Sequence, residues 1–285
     1  MRAMNTSRMD GTAPCRRICT PDAFARETLL HVQEIGELAP AGPMESRRSG
    51  MPSLLFLLVE DGEGTVREGT AHRRLRAGNC ALLDCRGPYG HATGSPPWRL
   101  RWIHFFGPGA PAMLAHWRER AGGFAVRATS PARYRRLWDE VWDAVAAASP
   151  TSSLRANDRL SALFTLLSED AEQSARDRRT ERLAAVRDWI DAHCAEPVTL
   201  DRLAEMAHLN KYTLVREFHA RYGLPPNRAL AAARVDRAKR LLRFTDDTVE
   251  AVGAACGVPD PNYFARLFRR VEGLSPRAFR RQWRE

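Results

Sequence analysis

Residues 257–280, GVPDPNYFARLFRRVEGLSPRAFR, contain a tight turn, a capped helix and a helix stop in sequence order. Asp260 is a typical N-cap residue, and Pro261 follows at the first helical position, where a missing N–H costs nothing. Gly273 and Pro276 end the helix. On a helical wheel the apolar side holds Phe264, Leu267, Phe268 and Val271, and the opposite side holds Asn262, Arg266 and Arg269. The segment therefore predicts an amphipathic helix with a basic exposed face.

An earlier segment has the same arrangement. A short helix with Thr199 as its N-cap candidate leads through a turn to a second helix, which Asn210 would cap and Gly223 would end. The apolar side of this second helix holds Leu214, Phe218 and Tyr222, and the opposite side holds Tyr212, Arg216 and His219. A long helix over about 227–244 joins the two segments. The pattern predicts two helix-turn-helix units.

Two such units have a direct use in DNA recognition. A recognition helix fits the major groove, where Arg can bind guanine and Asn can bind adenine with two hydrogen bonds each. Arg216 and Arg266 lie 50 positions apart, and a stiff connecting helix could bring both units into successive major grooves about 34 Å apart. The alternative is a plain helical bundle with solvated arginines. The matching exposed faces favour DNA binding over that alternative.

Composition and charge permit such a partner. The chain has 285 residues, 27% of them charged, and a formal net charge of +10, so a polyanion can be attracted electrostatically. The longest purely apolar run, Leu54–Val59, suits a buried strand and is too short for a membrane span. No apolar stretch follows the N-terminal arginines as it would in a secretion signal. We therefore expect a cytoplasmic protein without a membrane partner.

The first half of the chain is rich in short strand patterns. Residues 29–35, 54–59 and 98–106 predict strands, with turn signals between them. Short strands at this spacing suggest a small sandwich or barrel. Residues 110–172 show a helical pattern, with an apolar stripe formed by Leu160, Leu163, Phe164 and Leu167.

These patterns divide the chain into three parts. We predict a loosely ordered N-terminal arm over residues 1–28 and a β-barrel with following helices over 29–178. A polar linker at 174–180 would lead into an all-helical domain over 179–285. The predicted fold class is α+β, with the barrel first and then two helix-turn-helix units joined by a long helix.

Four stretches of the helical domain are specific enough to indicate a family. They are 199–204 (TLDRLA), 214–218 (LVREF), 237–242 (RAKRLL) and 257–280. In these stretches the chain resembles the AraC-type (AraC/XylS) bacterial transcription regulators. The resemblance implies a seven-helix domain whose third and sixth helices contact double-stranded DNA. The matching contact positions are Tyr212, Val215, Arg216, Pro261, Asn262 and Arg266.

Three positions depart from the family pattern. Val258 stands where relatives usually have Phe, and Val215 and Pro261 stand where they often have a polar residue. Val215 and Pro261 can offer DNA only apolar contact, for example to a thymine methyl group. His219 and Arg269 share the exposed helix faces, and they complete the set of DNA-contacting candidates.

The strand-rich domain is similar to the cupin-like sensor domain of the same family. The similar stretches are 62–64, 77–79, 88–91 and 98–105. The resemblance implies a barrel that binds a small-molecule effector, a sugar in some relatives, and helices that form a homodimer. Its pocket candidates are Arg47, His91 and Trp102. We add His104 because it shares a strand face with Trp102, although that face can equally be core.

The role of the stripe Leu160, Leu163, Phe164 and Leu167 has two alternatives. It can form the dimer surface, or it can pack on the barrel of its own chain. The family resemblance also implies RNA polymerase as a partner, and activation is more usual in this family than repression.

An enzyme is the competing class. A cupin-like metal-dependent enzyme needs several His and a carboxylate, whereas His72, His91 and His104 are scattered. No GxSxG elbow or phosphate-binding glycine loop occurs. A DNA-repair protein with a methyl-accepting cysteine needs four zinc ligands, and only Cys15 and Cys19 cluster. We therefore expect a protein that is not an enzyme, with no catalytic residue, no metal and no cofactor.

Overall fold

Strands dominate the first part of this computed structural model, which describes residues 15–40 and 42–284. The described strands are β1 (Arg16–Ile18), β2 (His31–Leu38), β3 (Glu45–Arg48), β4 (Leu54–Asp61), β5 (Glu63–Glu68), β6 (Ala71–Arg76), β7 (Asn79–Asp84), β8 (Tyr89–Thr93), β9 (Arg99–Phe106) and β10 (Ala125–Arg127). They form two sheets with antiparallel neighbours, a larger one in the order β1-β2-β9-β4-β7-β10 and a smaller one in the order β3-β8-β5-β6.

The larger sheet is buried on both faces, and β4 shows why. Side chains alternate between the two faces of a strand, and β4 is apolar at successive positions. Both faces of the sheet must therefore be packed against other elements. Leu54, Phe56 and Leu58 belong to a core shared with helices. Leu55 and Leu57 belong to a second core, shared with the smaller sheet. The two sheets enclose a shared core, as expected for the small sandwich or barrel predicted from the sequence.

Four helices are described in or next to this part of the chain: α1 (Ala23–Thr28), α2 (Ala110–Ala121), α3 (Pro131–Ala146) and α4 (Ser152–Ala192). The chain divides into two compact units between Arg176 and Asp177, within the length of α4. The linker expected at 174–180 is therefore helical. Its polar residues include no glycine or proline that would break a helix.

The N-terminal arm also differs from the expectation. Residues 16–18 form β1, which pairs antiparallel with β2, and Asp22 caps α1 by accepting a hydrogen bond from the Ala25 amide at 2.7 Å. Sequence periodicity missed these elements because each is very short. The rest of the expected arm, residues 1–14, lies outside the described residues.

The apolar stripe on α4 packs inside its own chain, so the prediction that it is the dimer surface is wrong. All four of its side chains, Leu160, Leu163, Phe164 and Leu167, are buried in the core between the helices and the larger sheet. The ring of Phe164 meets Phe105 of β9 edge-on at 5.7 Å. Trp117 of α2 donates a hydrogen bond to the Leu167 carbonyl at 3.0 Å. Of the two alternatives, internal packing is the one observed.

The second unit is helical. After the end of α4 come α5 (Leu200–Ala207), α6 (Lys211–Tyr222), α7 (Pro226–Phe244), α8 (Val249–Ala255), α9 (Pro261–Glu272) and α10 (Pro276–Arg284). One core joins the end of α4 to α5, α6 and the start of α7, and another joins the rest of α7 to α8, α9 and α10. The predicted pair of helix-turn-helix units on one long helix is confirmed.

The predicted caps are also present. Thr199 and Asn210 accept hydrogen bonds from the amides of Arg202 and Thr213, at 3.2 and 2.8 Å. Gly223 and Gly273 end α6 and α9 with φ of 73° and 84°, a left-handed conformation that favours glycine. No helix in the described part of the chain is long and apolar enough to cross a membrane.

Candidate DNA-contacting helices and effector cavity

Helix α6 presents its predicted face to solvent. Leu214 and Phe218 are fully buried, whereas the opposite side of the helix carries Tyr212, Arg216 and His219, all exposed. Tyr212 is 90% exposed, an unusual position for a large aromatic side chain in a free protein. Val215 is half-buried beside this face. The helix therefore offers an aromatic and basic surface on a rigid base.

The guanidinium of Arg216 remains available on this surface. It approaches Glu217 only loosely, with Nη2 3.7 Å from Oε1, and its side chain is 75% exposed. Glu217 itself is largely buried and ion-paired with Arg179 of α4. The neighbouring carboxylate is thus occupied, which leaves Arg216 free to bind an external group.

Helix α9 repeats this geometry. Asp260 accepts hydrogen bonds from the amides of Asn262 and Tyr263 at 2.8 and 3.0 Å, which fixes the start of the helix. All four predicted contact residues of this helix, Pro261, Asn262, Arg266 and Arg269, are exposed. Within the described residues, neither Arg266 nor Arg269 has a carboxylate partner. Val271, predicted to be buried, is 42% exposed because it lies at the margin of the apolar side.

An open groove lies at the C-terminal end of α6. Its volume is about 440 Å³, and its lining includes Val215, Arg216 and His219 together with Arg228 on the first turn of α7. Sequence reasoning missed Arg228, because it lies on a different helix from the recognition face. The turn Gly223–Pro225 brings it back beside Arg216 and adds a second exposed cation to this surface.

A cavity of about 370 Å³ lies between the two sheets of the first unit. Its lining residues are Arg16, Glu34, Glu37, Leu38, Met44, Glu45, Ser46, Arg48, Leu55, Leu57, Tyr89, His91, Leu100, Trp102 and His104. Three of the four predicted effector contacts, His91, Trp102 and His104, are therefore brought together here. Arg47 is not among the lining residues, and the neighbouring Arg48 takes that place.

The strand register explains this difference. Strand β3 pairs with β8 so that Arg48 lies opposite Tyr89 and Arg47 opposite Gly90. Directly opposed residues share a face, so Arg48 lies on the side of Tyr89, towards the cavity, and Arg47 points the other way. Arg47 is 71% exposed and its Nε lies 2.7 Å from the Glu45 carboxylate. The sequence predicts that neighbouring residues of β3 lie on opposite faces. It does not tell which of the two faces points to the cavity.

The aromatic wall of the cavity depends on a glycine. A Cβ built on Gly36 of β2 would lie 2.7 Å from Cζ2 of the Trp102 ring, closer than any stable contact. The absence of a side chain at Gly36 thus lets Trp102 lie over β2. The ring of His104 meets the Trp102 ring edge-on at 5.7 Å. A flat apolar surface results on the side of the larger sheet.

The two histidines and the tyrosine of the cavity are uncharged at neutral pH. Burial, and then the nearby charge of Arg48, lowers the pKa of His91 to about 4, and the same causes together with His91 lower that of His104 to about 4. Burial raises the pKa of Tyr89 to about 12. Nδ1 of His104 is hydrogen-bonded to the Ser53 hydroxyl at 2.9 Å, whereas Nδ1 of His91 is buried without a hydrogen-bond partner among the described residues.

A metal-dependent enzyme would need a cluster of ligating side chains. Among residues 15–40 and 42–284, no group of three or more His, Cys, Asp or Glu side chains is arranged to hold a metal ion. Burial raises the pKa of the Cys19 thiol to about 11, so this thiol is protonated at neutral pH and is a poor nucleophile.

Comparison with known proteins identifies relatives of both units. Residues 45–167 match an AraC-like ligand binding domain, and residues 203–282 match a helix-turn-helix domain. The HTH-type transcriptional activator RhaS of Escherichia fergusonii is 39% identical over 104 residues, which is 36% of this chain and 36% of that protein. The chain thus spans about a third of the length of this relative.

Two further similarities differ in coverage. The MmsAB operon regulatory protein of Pseudomonas aeruginosa is 28% identical over 278 residues, which is 90% of this chain and 84% of that protein. A solved structure of the DNA-binding domain of AdpA, a global transcriptional factor, in complex with a target DNA is 35% identical. It covers 36% of this chain and 92% of that chain, with a TM-score of 0.35.

Proposed function

We propose that this chain, which belongs to the AraC family of transcription regulators, binds double-stranded DNA through α6 and α9 and responds to a small molecule in the cavity between its two sheets. The recognition residues we assign are Tyr212, Val215, Arg216, His219, Pro261, Asn262, Arg266 and Arg269. The effector contacts we assign are Arg48, His91, Trp102 and His104.

One observation carries the DNA-binding part of the proposal. Arg216 and Arg266 occupy equivalent exposed faces of two helices, each of which is held by its own apolar core. A rigid helix with an exposed arginine can place a guanidinium against guanine in the major groove with two hydrogen bonds. Val215 and Pro261 would add apolar contacts to thymine methyl groups at neighbouring base pairs.

Phosphate contacts would hold these helices in register. Arg228 and Arg269 are exposed beside the two recognition faces, and cations in such positions contact the DNA backbone. These contacts carry no sequence information, so their loss should weaken binding to all DNA alike. Base readout and backbone contact can therefore be separated by experiment.

The test is fluorescence anisotropy with DNA from upstream of the chain's own gene, over a salt series and with unrelated DNA as competitor. Loss of both arginines in Arg216→Ala/Arg266→Ala should remove about 1–3 kcal/mol per contact and abolish discrimination against the competitor. A control variant, Arg136→Ala/Arg155→Ala, removes two exposed arginines from the first unit and should keep discrimination. Equal losses in both variants would contradict the assigned recognition faces.

Regulation would follow from the effector cavity. A ligand shifts a conformational equilibrium only by its differential affinity for the two states, so the effector must bind the DNA-competent state more or less tightly than the other. The similarity to RhaS, a transcriptional activator, supports activation as the direction of the effect, with RNA polymerase as the proposed partner. We also propose a homodimer, which sedimentation at several protein concentrations will test, with a surface other than the buried α4 stripe.

A further inference from the structure

The charged residues around the cavity are not balanced, and the imbalance lies at Arg48. Each carboxylate of the lining lies within ion-pair distance of an arginine: Glu34 pairs with Arg16 at 3.4 Å, Glu37 with Arg101 at 3.1 Å and Glu45 with Arg47 at 2.7 Å. Arg101 is shared with Glu60 and Asp139 outside the lining. Arg48 has no carboxylate within ion-pair distance in the part of the chain that the structure describes. It is the cation of the lining that remains uncompensated.

The residues around Arg48 are suited to bind the polar end of a ligand. Tyr89 lies opposite Arg48 across the β3–β8 pair, and His91 lies opposite Ser46 on the same face. Tyr89 is protonated, and its hydroxyl donates only a weak hydrogen bond to Met51 Sδ at 3.5 Å, which a ligand oxygen could replace. The buried Nδ1 of His91 has no partner among the described residues. Unpaired buried polar atoms are costly, so this nitrogen is a position where a ligand's polar group would be stabilised.

One wall of the cavity is apolar. Leu55, Leu57 and Leu100 are buried in the larger sheet, and the Trp102 ring lies over β2 beside them. Arg48, by contrast, is exposed on the outermost strand of the smaller sheet. The cavity therefore combines an apolar wall with the uncompensated charge of Arg48 at its rim, and this combination complements an amphipathic molecule with one anionic end.

From this arrangement we infer that the effector is a small organic anion, a carboxylate, whose charged group binds Arg48 beside Tyr89 and His91 and whose apolar body lies on Trp102 and the neighbouring leucines. The inference rests on the proposed function, because it assumes that this cavity is the effector site. It replaces the sugar that the family resemblance offered as a candidate.

The choice of an anion over a neutral ligand follows from desolvation. A ligand that fills the cavity removes water from the guanidinium of Arg48, and a charge that loses water without gaining a counter-charge is penalised. An anion compensates this loss with charge-assisted hydrogen bonds, which are stronger than neutral ones. A cation near this position would be repelled by Arg48.

A second exposed arginine provides a matched control. Arg48→Gln removes the charge at the cavity, and Arg155→Gln removes the same charge from α4, outside the lining. Arg47 does not serve as the control because its partner Glu45 belongs to the lining. The side chains of Arg48 and Arg155 are exposed, so neither change disturbs the core. Any difference between the two variants therefore reports on the cavity and not on net charge or folding.

The experiment measures thermal stabilisation of the full chain by hexanoate and phenylacetate, by their neutral amides, and by L-arabinose. Both carboxylates should raise Tm at millimolar concentrations, whereas hexanamide and phenylacetamide should not. Arg48→Gln should weaken carboxylate binding by about tenfold or more, the loss expected for a charge-assisted hydrogen bond. Arg155→Gln, outside the lining, should bind the carboxylates as the wild type does.

Three results would overturn the inference. They are equal stabilisation by the acids and their amides, equal losses in Arg155→Gln and Arg48→Gln, and no stabilisation by either carboxylate at tens of millimolar. Stabilisation by L-arabinose that Trp102→Ala abolishes and Arg48→Gln leaves intact would also overturn it, while keeping the cavity as the effector site. Failure of the wider proposal would appear separately, as loss of specific DNA binding in the anisotropy measurement.

Discussion

The ring of Trp102 occupies the space that a side chain on Gly36 would need, since a Cβ there would lie 2.7 Å from its Cζ2 atom. The two residues face each other across the β2–β9 pair. A glycine in a central strand normally weakens a sheet, so its place here is explained by the close approach of the indole and of the Cys15 carbonyl oxygen, which would lie equally near a Cβ on Gly36. Gly36 does not line the cavity itself, but it allows the position of Trp102, which does.

Gly36→Ala should therefore displace the Trp102 ring and narrow the cavity. The added methyl group overpacks the site, and we expect about 1–3 kcal/mol of destabilisation together with a changed tryptophan emission and weaker effector binding. Thermal and denaturant unfolding will measure the first effect. The control is Gly87→Ala, where a Cβ meets no atom within 4 Å. Equal unfolding midpoints for the two variants would contradict the close contact.

Stability should fall with acidification through the titration of His104. Its pKa is lowered from 6.5 to about 4 in the folded chain by burial, then by Arg48 and His91. The unfolded chain therefore binds the proton first, so this contribution is fully present above pH 6.5 and is lost as the pH falls towards 4. Its size is about 2–3 kcal/mol.

His104→Gln removes that titration and should reduce the dependence of Tm on pH between 6.5 and 4, while His91, whose pKa is also lowered to about 4, keeps its own contribution. Glutamine can still hydrogen-bond the Ser53 hydroxyl, so the fold should persist at neutral pH. The comparison with wild type isolates His104 from carboxylates that also titrate in acid. An unchanged slope in the variant would show that His104 is not held neutral by its surroundings.

The carboxylate of Asp170 should be a strong determinant of stability in the first unit. It is fully buried on α4 and accepts hydrogen bonds from the hydroxyls of Thr129 and Tyr134 at 2.6 and 2.7 Å. Tyr134→Phe leaves one carboxylate oxygen without that partner, and we expect a loss of about 1–3 kcal/mol in the free energy of unfolding. Tyr212→Phe, at a side chain 90% exposed, should leave stability unchanged.

A substitution in α9 should separate base readout from general attraction to DNA. Arg266→Ala should cost about 1–3 kcal/mol of specific binding and relax base preference at one position of the operator. Arg266→Lys keeps the charge but loses the planar fork that contacts guanine twice, so it should restore salt-dependent affinity without restoring the preference. Selection from a randomised DNA library will measure both. A lysine variant with wild-type preference would argue against bidentate contact.

Sequence alone determined the architecture of the second unit. Asn210 and Asp260 cap α6 and α9, and Gly223 and Gly273 end them, as predicted. These signals are readable because a helix closes its hydrogen bonds within four residues, so the local sequence contains nearly all the information that sets its ends and its exposed face. The DNA-contacting candidates are exposed for the same reason, and their roles remain proposals.

Only the tertiary structure decided which arginine of β3 lines the cavity and what the apolar stripe of α4 packs against. The sequence could not tell that Arg48, and not Arg47, lines the cavity, because that depends on pairing with β8, some forty residues further along the chain. The sequence also could not tell whether the apolar stripe that includes Leu160 packs against a second chain or against the chain's own sheet. An apolar helix face shows only that it must be buried, and not against which surface. Strand register and the choice of a packing partner are long-range properties, and a local pattern records only that a face must be buried.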